Sequence, residues 1–527
     1  MISPQCTDRV PLGNEPAARG LVRFLGGERG RHVRTDRSLL ARPLPFVVCV
    51  AYIFVALGYL SKAACLTGTR KDGGSVALNW DGNRQYAAAC YSDIVPLYSG
   101  RGMDTGGFPY AYSWTDGGAT RYMEYPVLSG LFQGLMGFIS RATYGLVEWA
   151  TVPAAGWYFA VTALCMSVMW VGTIVLACRL AGARVWDILL VAASPLVIVH
   201  AFTNWDIPAI FLAVAGLYAA ARHRNAWAGV LFGLGAAFKL WPVFLLGAFF
   251  VLAVRARATR SFMTMLLGAV GAWLVVNVPI ARAYPEAWGE FFRLNSERSW
   301  EWTTIYAVLD RTFGLHPPIT AVNAFSFGAF LACCAGIFAL GVTARRVPRV
   351  AELVLLILVA FLLFNKVWSP QYSLWLVVPA VLALPRWRLL LCWMLADALV
   401  WPILMWHMLG AENKGLPQEF LDIAVLVRDG FLVAIAVLVL RQMLSRSQDK
   451  VYAAHHGRDV MAGDFAQWSS HSLGSHPSPA GFACVLAAYY SFQRGRDRRV
   501  PAALAVAAFV FLTVIPVIGA VFFAARG

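Results

Sequence analysis

The sequence predicts an all-α integral membrane protein, a multipass bundle of about 12–13 transmembrane helices with long external loops. Three observations carry this expectation. Of 527 residues, 59% are hydrophobic and only 14% charged, too little polar surface to coat a soluble globule of this size. Apolar runs of the ~20 residues that span a bilayer core recur along the chain. The net charge of +16 arises from 44 basic residues against 28 acidic ones, and the Arg residues cluster between the apolar runs, where a topology signal belongs. This arrangement argues against a nucleic-acid binder, a disordered chain and a secreted disulfide scaffold. The ten Cys lie mostly in apolar segments with no CxxC and no Cys/His ligand spacing, which argues against structural zinc.

Each element follows from charge and apolarity in turn. Residues 1–42 carry eight Arg and four acids and read as a cytoplasmic Arg-rich tail, not a cleavable signal peptide. The first crossing, 43–65, runs outward to a long loop, 67–124, with five basic and six acidic residues. Residues 126–139 are short and Gly-rich. They suit either a short crossing or an amphipathic helix lying on the outer surface, and the second reading leaves every later basic cluster on one side. Crossings are expected at 157–177, 185–202 and 207–221, turning at Arg179 and Arg184, at Asn204-Trp205-Asp206, and at Arg222-His223-Arg224. The run 226–254 has Arg at both ends. One crossing cannot satisfy both, so it reads as a hairpin of two short helices broken at Lys239-Leu240-Trp241-Pro242, where Pro ends a helix. Residues 261–280 lead to a second external loop, 281–320, with four Arg and five acids. Crossings at 321–342, 350–364, 371–384, 389–408 and 421–440 complete a transmembrane core of 43–440. Residues 441–499 read as a flexible polar cytoplasmic linker, and 500–527 hold a further transmembrane helix.

The outer ends of these helices collect polar residues that a membrane anchor does not need. Asp93 sits among Tyr91, Ile94, Val95, Leu97 and Tyr98, so it packs against the membrane side of the first loop. It is either a general base for an acceptor hydroxyl or the cap of a short juxtamembrane helix. Asp206 either caps the helix begun by Pro208 or binds ligand. Only six basic residues are Lys, yet two of them, Lys239 and Lys366, fall at outer helix breaks in the similar contexts FKLWP and NKVWSP. A Lys at membrane depth is costly unless it faces a cavity or a counter-anion. A lipid phosphate would serve, and snorkelling beside Trp is the competing explanation. The stretch RLNSERSWEW, 293–302, suits sugar binding or an interfacial helix. If Cys65 and Cys90 both face the oxidising side, a disulfide can join them. No carboxylate cluster has ligand spacing, so no metal or other cofactor is expected.

Taken in order, these features resemble a family. They are a first-loop Asp, the juxtamembrane Glu124-Tyr125-Pro126-Val127, the N-x-D of Asn204 to Asp206, the Lys239-x-x-Pro break and the NKxxSPQY turn of 365–372. Together they are similar to glycosyltransferase family 87 over roughly 43–440. These are membrane enzymes of the GT-C fold that use polyprenyl-phosphate sugars, and they include actinobacterial mannosyltransferases that elongate phosphatidylinositol mannosides. The resemblance implies transfer of a sugar, most often mannose, from a polyprenyl-monophosphate donor to a glycolipid or glycan acceptor. The reaction would run with inversion, among membrane lipids at the outer face of the plasma membrane, without nucleic acid. Asp93 falls at the candidate base, Lys239 and Lys366 at donor-phosphate positions, and Asp206, Asn204, Glu124, Tyr125 and Gln371 at substrate-binding positions. Val127 replaces the second Pro of many relatives. A lipid or solute transporter, which broken helices also suit, and a GT-C enzyme using polyprenyl-phosphate arabinose or glucose remain alternatives.

Overall fold

The computed structural model describes residues 43–70 and 76–466. The tail 1–42, most of the linker and the expected helix in 500–527 lie outside those residues. The described chain is all-α apart from two small hairpins, in keeping with the expected class. Six helical runs are long and apolar enough to cross a membrane, and five further apolar helices are shorter.

Helices of ten or more residues are numbered in chain order. α1 (Pro43–Lys62) continues as a 3-10 turn to Cys65. α2 (Val127–Thr143) buries Ser129, Gly130, Gln133 and Ser140 while exposing Leu135 and Phe138. A helix with its small and polar face inward and its apolar face outward suits a lipid interface. α3 (Ala154–Ala181) is followed by a difference from expectation, because 185–202 is not one crossing. It divides into a 3-10 turn (Gly182–Ile188), a single turn at Leu189–Ala192 and a short helix, Pro195–His200. Pro195 supplies no N–H and drives Ser194 into extended backbone, and the Ser194 hydroxyl then caps the new helix at Leu196 N. The displaced piece packs on α1 where Gly58 leaves room for the Val197 carbonyl.

α4 (Ile207–Ala221) leads to the expected hairpin, α5 (Asn225–Phe238) and α6 (Leu245–Ala256). Lys239 between them is extended, and Pro242 starts a 3-10 turn at Trp241–Phe244. α5 lies so close to α7 (Thr259–Ala283) that a Cβ on Gly229 or Gly233 would strike the carbonyls of Met265 or Ala269. That is the close approach small residues permit between membrane helices. α8 (Pro285–Glu297) crosses the second loop, and α9 (Ile319–Thr343), α10 (Val350–Phe364), α11 (Leu374–Ala383), α12 (Trp387–Met408) and α13 (Gln418–Met443) follow. In the first loop, strands Trp114–Asp116 and Ala119–Arg121 pair antiparallel through Gly117 and Gly118, both at positive φ. Such a two-residue turn demands that backbone region.

The basic clusters gather at one end of the bundle. Trp387 and Arg184 bond Asp187 there, Arg255 bonds the carbonyls of Gly341 and Val342, and His223 bonds Asp464 at 2.5 Å. Residues 444–466, expected to begin a flexible linker, are packed against this end. Arg349 is 2% exposed and donates to Asp449 (2.8 Å) and to the carbonyls of Leu382 and Ala383. Asp459 accepts from Val350 N, Asp464 accepts from Asn225, and Phe465 is buried against Phe249. Polarity alone misread this segment because its carboxylates are the partners of the Arg clusters and helix ends.

Candidate active site

At the opposite end, four helix breaks converge on one polar cluster. The first-loop segment leading to Asp93 is pinned to the turn after Pro195–His200. Asp93 N donates to Thr203 O at 2.9 Å and Ser92 Oγ to Phe202 O at 2.6 Å. A disulfide joins Cys65 to Cys90, with Cα atoms 5.6 Å apart, tying the same segment to α1. Asp93 is half-buried as a residue, and its carboxylate accepts a hydrogen bond of 2.7 Å from Asn204 Nδ2. Asn204 also donates to the Tyr125 hydroxyl at 2.9 Å, and its Oδ1 accepts from Lys239 Nζ at 3.0 Å. One amide therefore connects the carboxylate to the ammonium. Neither Asp caps a helix. The short helix Pro96–Gly100 has no side-chain cap, and Asp206, at the head of α4, spends its oxygens elsewhere. Asp206 lies 3.4 Å from Lys239 Nζ and accepts from Trp375 Nε1 at 2.9 Å.

Lys366 stands at the second break, 5% exposed, where Nζ donates to the carbonyls of Arg298 (2.7 Å) and Ser296 (3.4 Å). Among the described residues it has no carboxylate partner. The 365–370 turn is set by pairing with the second loop, Glu301 N to Lys366 O at 2.9 Å and Thr303 Oγ1 to Trp368 O at 2.5 Å. Lys239, Lys366, Tyr372 and Trp375 line one cleft, walled also by Phe327, Phe330 and Phe361. A second, nearly apolar groove borders Tyr125 and Pro126, walled by Phe232, Leu266, Val270 and Trp273.

The electrostatics of the cluster follow from burial. Burial pushes the Asp93 carboxyl above its ordinary range, while hydrogen bonds from Asn204 and Tyr91 and the charge of Lys239 pull it back. Burial and the like charge of Arg298 lower Lys366 to about 8. Burial also raises Glu124, which is countered by Arg101 at 2.5 Å. The guanidinium of Arg101 rests 3.9 Å from the centre of the Trp114 ring.

The structure thus brings Asp93, Tyr125, Asn204, Asp206 and Lys239 into direct contact and places Lys366 in the same cleft. Glu124 turns to Arg101. Gln371, buried in the turn Pro370–Ser373, makes no side-chain bond to the cluster among the described residues. Sequence reasoning missed Tyr91 and Trp375, which bond the two carboxylates, and Tyr372, stacked 4.1 Å from Trp375. Their position beside the motif residues was the available signal.

Residues 125–370 match glycosyltransferase family 87. The family-87 segment holds Tyr125, Asn204, Asp206, Lys239 and Lys366, whereas Asp93 and Glu124 precede it and Gln371 follows it. Among solved structures, ArnT from Cupriavidus metallidurans bound to undecaprenyl phosphate is similar, with a TM-score of 0.40 and 16% identity over 85% of this chain and 80% of that chain. No curated protein matches.

Proposed function

We propose that the protein is a membrane glycosyltransferase of the GT-C type that moves a sugar, mannose first among candidates, from a polyprenyl monophosphate to an acceptor hydroxyl. The observation that carries this reading is the line Asp93, Asn204, Lys239, with contacts of 2.7 and 3.0 Å. It sets a carboxylate one amide away from an ammonium that, together with a second Lys, lines the cleft. Transfer with inversion needs this pair. The acceptor oxygen attacks the anomeric carbon, its proton passes to the Asp93 carboxylate, and the bond to the phosphate oxygen breaks. The departing phosphate gathers negative charge, which Lys239 and Lys366 stabilise through charge-assisted hydrogen bonds. Asn204, Tyr125 and Asp206 orient these groups, and Glu124 and Gln371 shape the surroundings. The nearly apolar groove beside Tyr125 and Pro126 suits a lipid chain, and the cleft that holds both Lys suits the phosphate. The family-87 match over 125–370 supports the reaction class.

We place the reaction at the external face of the plasma membrane. Two observations support this: the Cys65–Cys90 disulfide, which an oxidising compartment maintains, and the Arg clusters at the other end of the bundle. The test is a donor panel. Membranes containing the protein are given polyprenyl-phosphate mannose, arabinose or glucose, with total lipid extract as acceptor. Mannose incorporation above that of the other two supports the reading, and incorporation of arabinose or glucose alone reassigns the sugar. No incorporation from any donor by folded protein rejects the transferase.

A further inference from the structure

Lys62 is a charge that the mechanism above leaves unused. It is the last residue of α1 and 1% exposed. Its Nζ donates to the carbonyl of Tyr91 at 3.1 Å and lies 4.7 Å from the centre of the Trp401 ring. Among the described residues it belongs to no ion pair. An ammonium taken out of water without a paired carboxylate is costly, so Lys62 stays charged only where its setting supplies negative potential. A carbonyl and an aromatic face supply part of that, and the remaining nearby anion is Asp93, which lies within electrostatic reach.

The geometry ties Lys62 to Asp93 through the backbone. Trp401 Nε1 holds Ala89 O at 2.8 Å, Cys90 is bonded to Cys65, Lys62 holds Tyr91 O, and Ser92 and Asp93 are held by Phe202 and Thr203. Every residue from 89 to 93 therefore has an anchor, and the one anchor that carries charge is Lys62. The Tyr91 side chain in turn bonds the Asp93 carboxylate. Titratable groups facing Asp93 are Tyr91 on its own loop, Glu124 and Tyr125 before α2, Asp206 before α4, Lys239 after α5 and Tyr372 before α11. His200 lies within electrostatic reach of Lys62 and packs edge-on against the Trp401 ring. Glu124 is neutralised by Arg101 and Asp206 by Lys239, whereas Lys62, beside the Asp93 loop, is in no ion pair among the described residues.

We propose that Lys62 is a positioning residue for Asp93, fixing the Tyr91 to Asp93 turn from α1 and supplying the positive charge that favours the ionised base. This rests on the assignment of Asp93 as the base. The test needs no knowledge of the sugar. Membranes containing the full chain are treated with a hydrophobic carbodiimide, which reacts with protonated carboxyl groups, and labelling of the Asp93 peptide is read by mass spectrometry across pH. K62Q keeps a donor for the Tyr91 carbonyl but loses the charge, and K62R keeps the charge. The Asp93 labelling midpoint is expected to rise by about one pH unit in K62Q and to stay at the wild-type value in K62R. In parallel, transfer from polyprenyl-phosphate mannose at a pH below the wild-type labelling midpoint is expected to fall about tenfold in K62Q with the donor KM unchanged, and to approach the wild-type rate well above the midpoint.

A K62Q protein with the wild-type midpoint and wild-type transfer overturns the proposal while the base assignment stands, provided Asp93→Asn is inactive in the same membranes. An active Asp93→Asn overturns both. If K62Q does not accumulate, K62M carries the same labelling test: a midpoint raised by about one pH unit supports the charge requirement, and a wild-type midpoint contradicts it.

Discussion

Replacing Lys239 by Met and Asp206 by Asn, singly and together, separates two jobs that one ammonium performs. Lys239 Nζ is 3.4 Å from Asp206, with side chains 10% and 1% exposed. At an effective dielectric of about 20, that separation corresponds to an attraction of about 5 kcal/mol. Removing one partner of a buried pair typically costs about 3–5 kcal/mol, because the other charge stays buried and alone. In K239M, Asp206 retains only Trp375 Nε1 at 2.9 Å, so the full range is expected. The double variant leaves a neutral amide beside Trp375 and should recover most of that loss. Donor binding behaves differently. A charge-assisted hydrogen bond to the phosphate is worth about 1.5–3 kcal/mol, so kcat/KM for the donor should fall roughly 10- to 150-fold in K239M and stay low in the double variant. Thermal unfolding in detergent followed by size exclusion gives the stability arm, and initial transfer rates from polyprenyl-phosphate mannose give the other. A double variant that regains activity along with stability would refute the reasoning, since Lys239 would then be only the counter-ion of Asp206.

Further outcomes follow from the same geometry. Asp93 must be ionised to accept a proton, and its pKa is raised by burial, so kcat/KM should fall on acidification already above the ordinary carboxylate range. Lys366 is charged below about 8, so donor kcat/KM should also fall as pH rises through that value; a pH–rate profile flat on both sides contradicts the assignment. Replacing Cys65 by Ser should cost about 2–4 kcal/mol of stability and lower kcat more than donor KM, measured by unfolding and initial rates, because the disulfide anchors the Asp93 segment. Asp449→Asn should destabilise the protein by less than the roughly 3–5 kcal/mol of a fully orphaned buried charge without changing KM, read by the same two assays, because Arg349 loses Asp449 at 2.8 Å but keeps Glu352 at 3.8 Å, at the end of the bundle away from the cluster.

Much of the architecture was legible because membrane helices announce themselves by apolar length and by the charges at their ends. The α5–α6 hairpin could be placed from Arg on both flanks and one Pro between them. The region 185–202 was misjudged for a matching reason: its hydropathy is continuous, and Pro195 is the one residue that records the break. The segment 444–466 was misjudged because pairing between Asp449 and Arg349, or Asp464 and His223, depends on tertiary contacts a hundred or more residues apart. At the site, the scarcity of Lys singled out Lys239 and Lys366, and aromatic neighbours singled out Asp93. That Asn204 would join base and ammonium, or that Trp375 would hold Asp206, was not readable, because neither geometry follows from spacing along the chain. Lys62 carried the same scarcity signal, but its position at the end of an ordinary crossing gave no reason to separate it from an interfacial anchor.

The assignment of Asp93 as the base is tested most directly by comparing wild-type and Asp93→Asn membranes, at equal protein level, for transfer from radiolabelled polyprenyl-phosphate mannose to a lipid extract. A positioned general base contributes roughly 100- to 10,000-fold, so transfer by the wild type and a loss of that size in the variant is the predicted result. Transfer that persists in Asp93→Asn at wild-type rate contradicts it and moves the base to another carboxylate, Asp206 or Glu301 first.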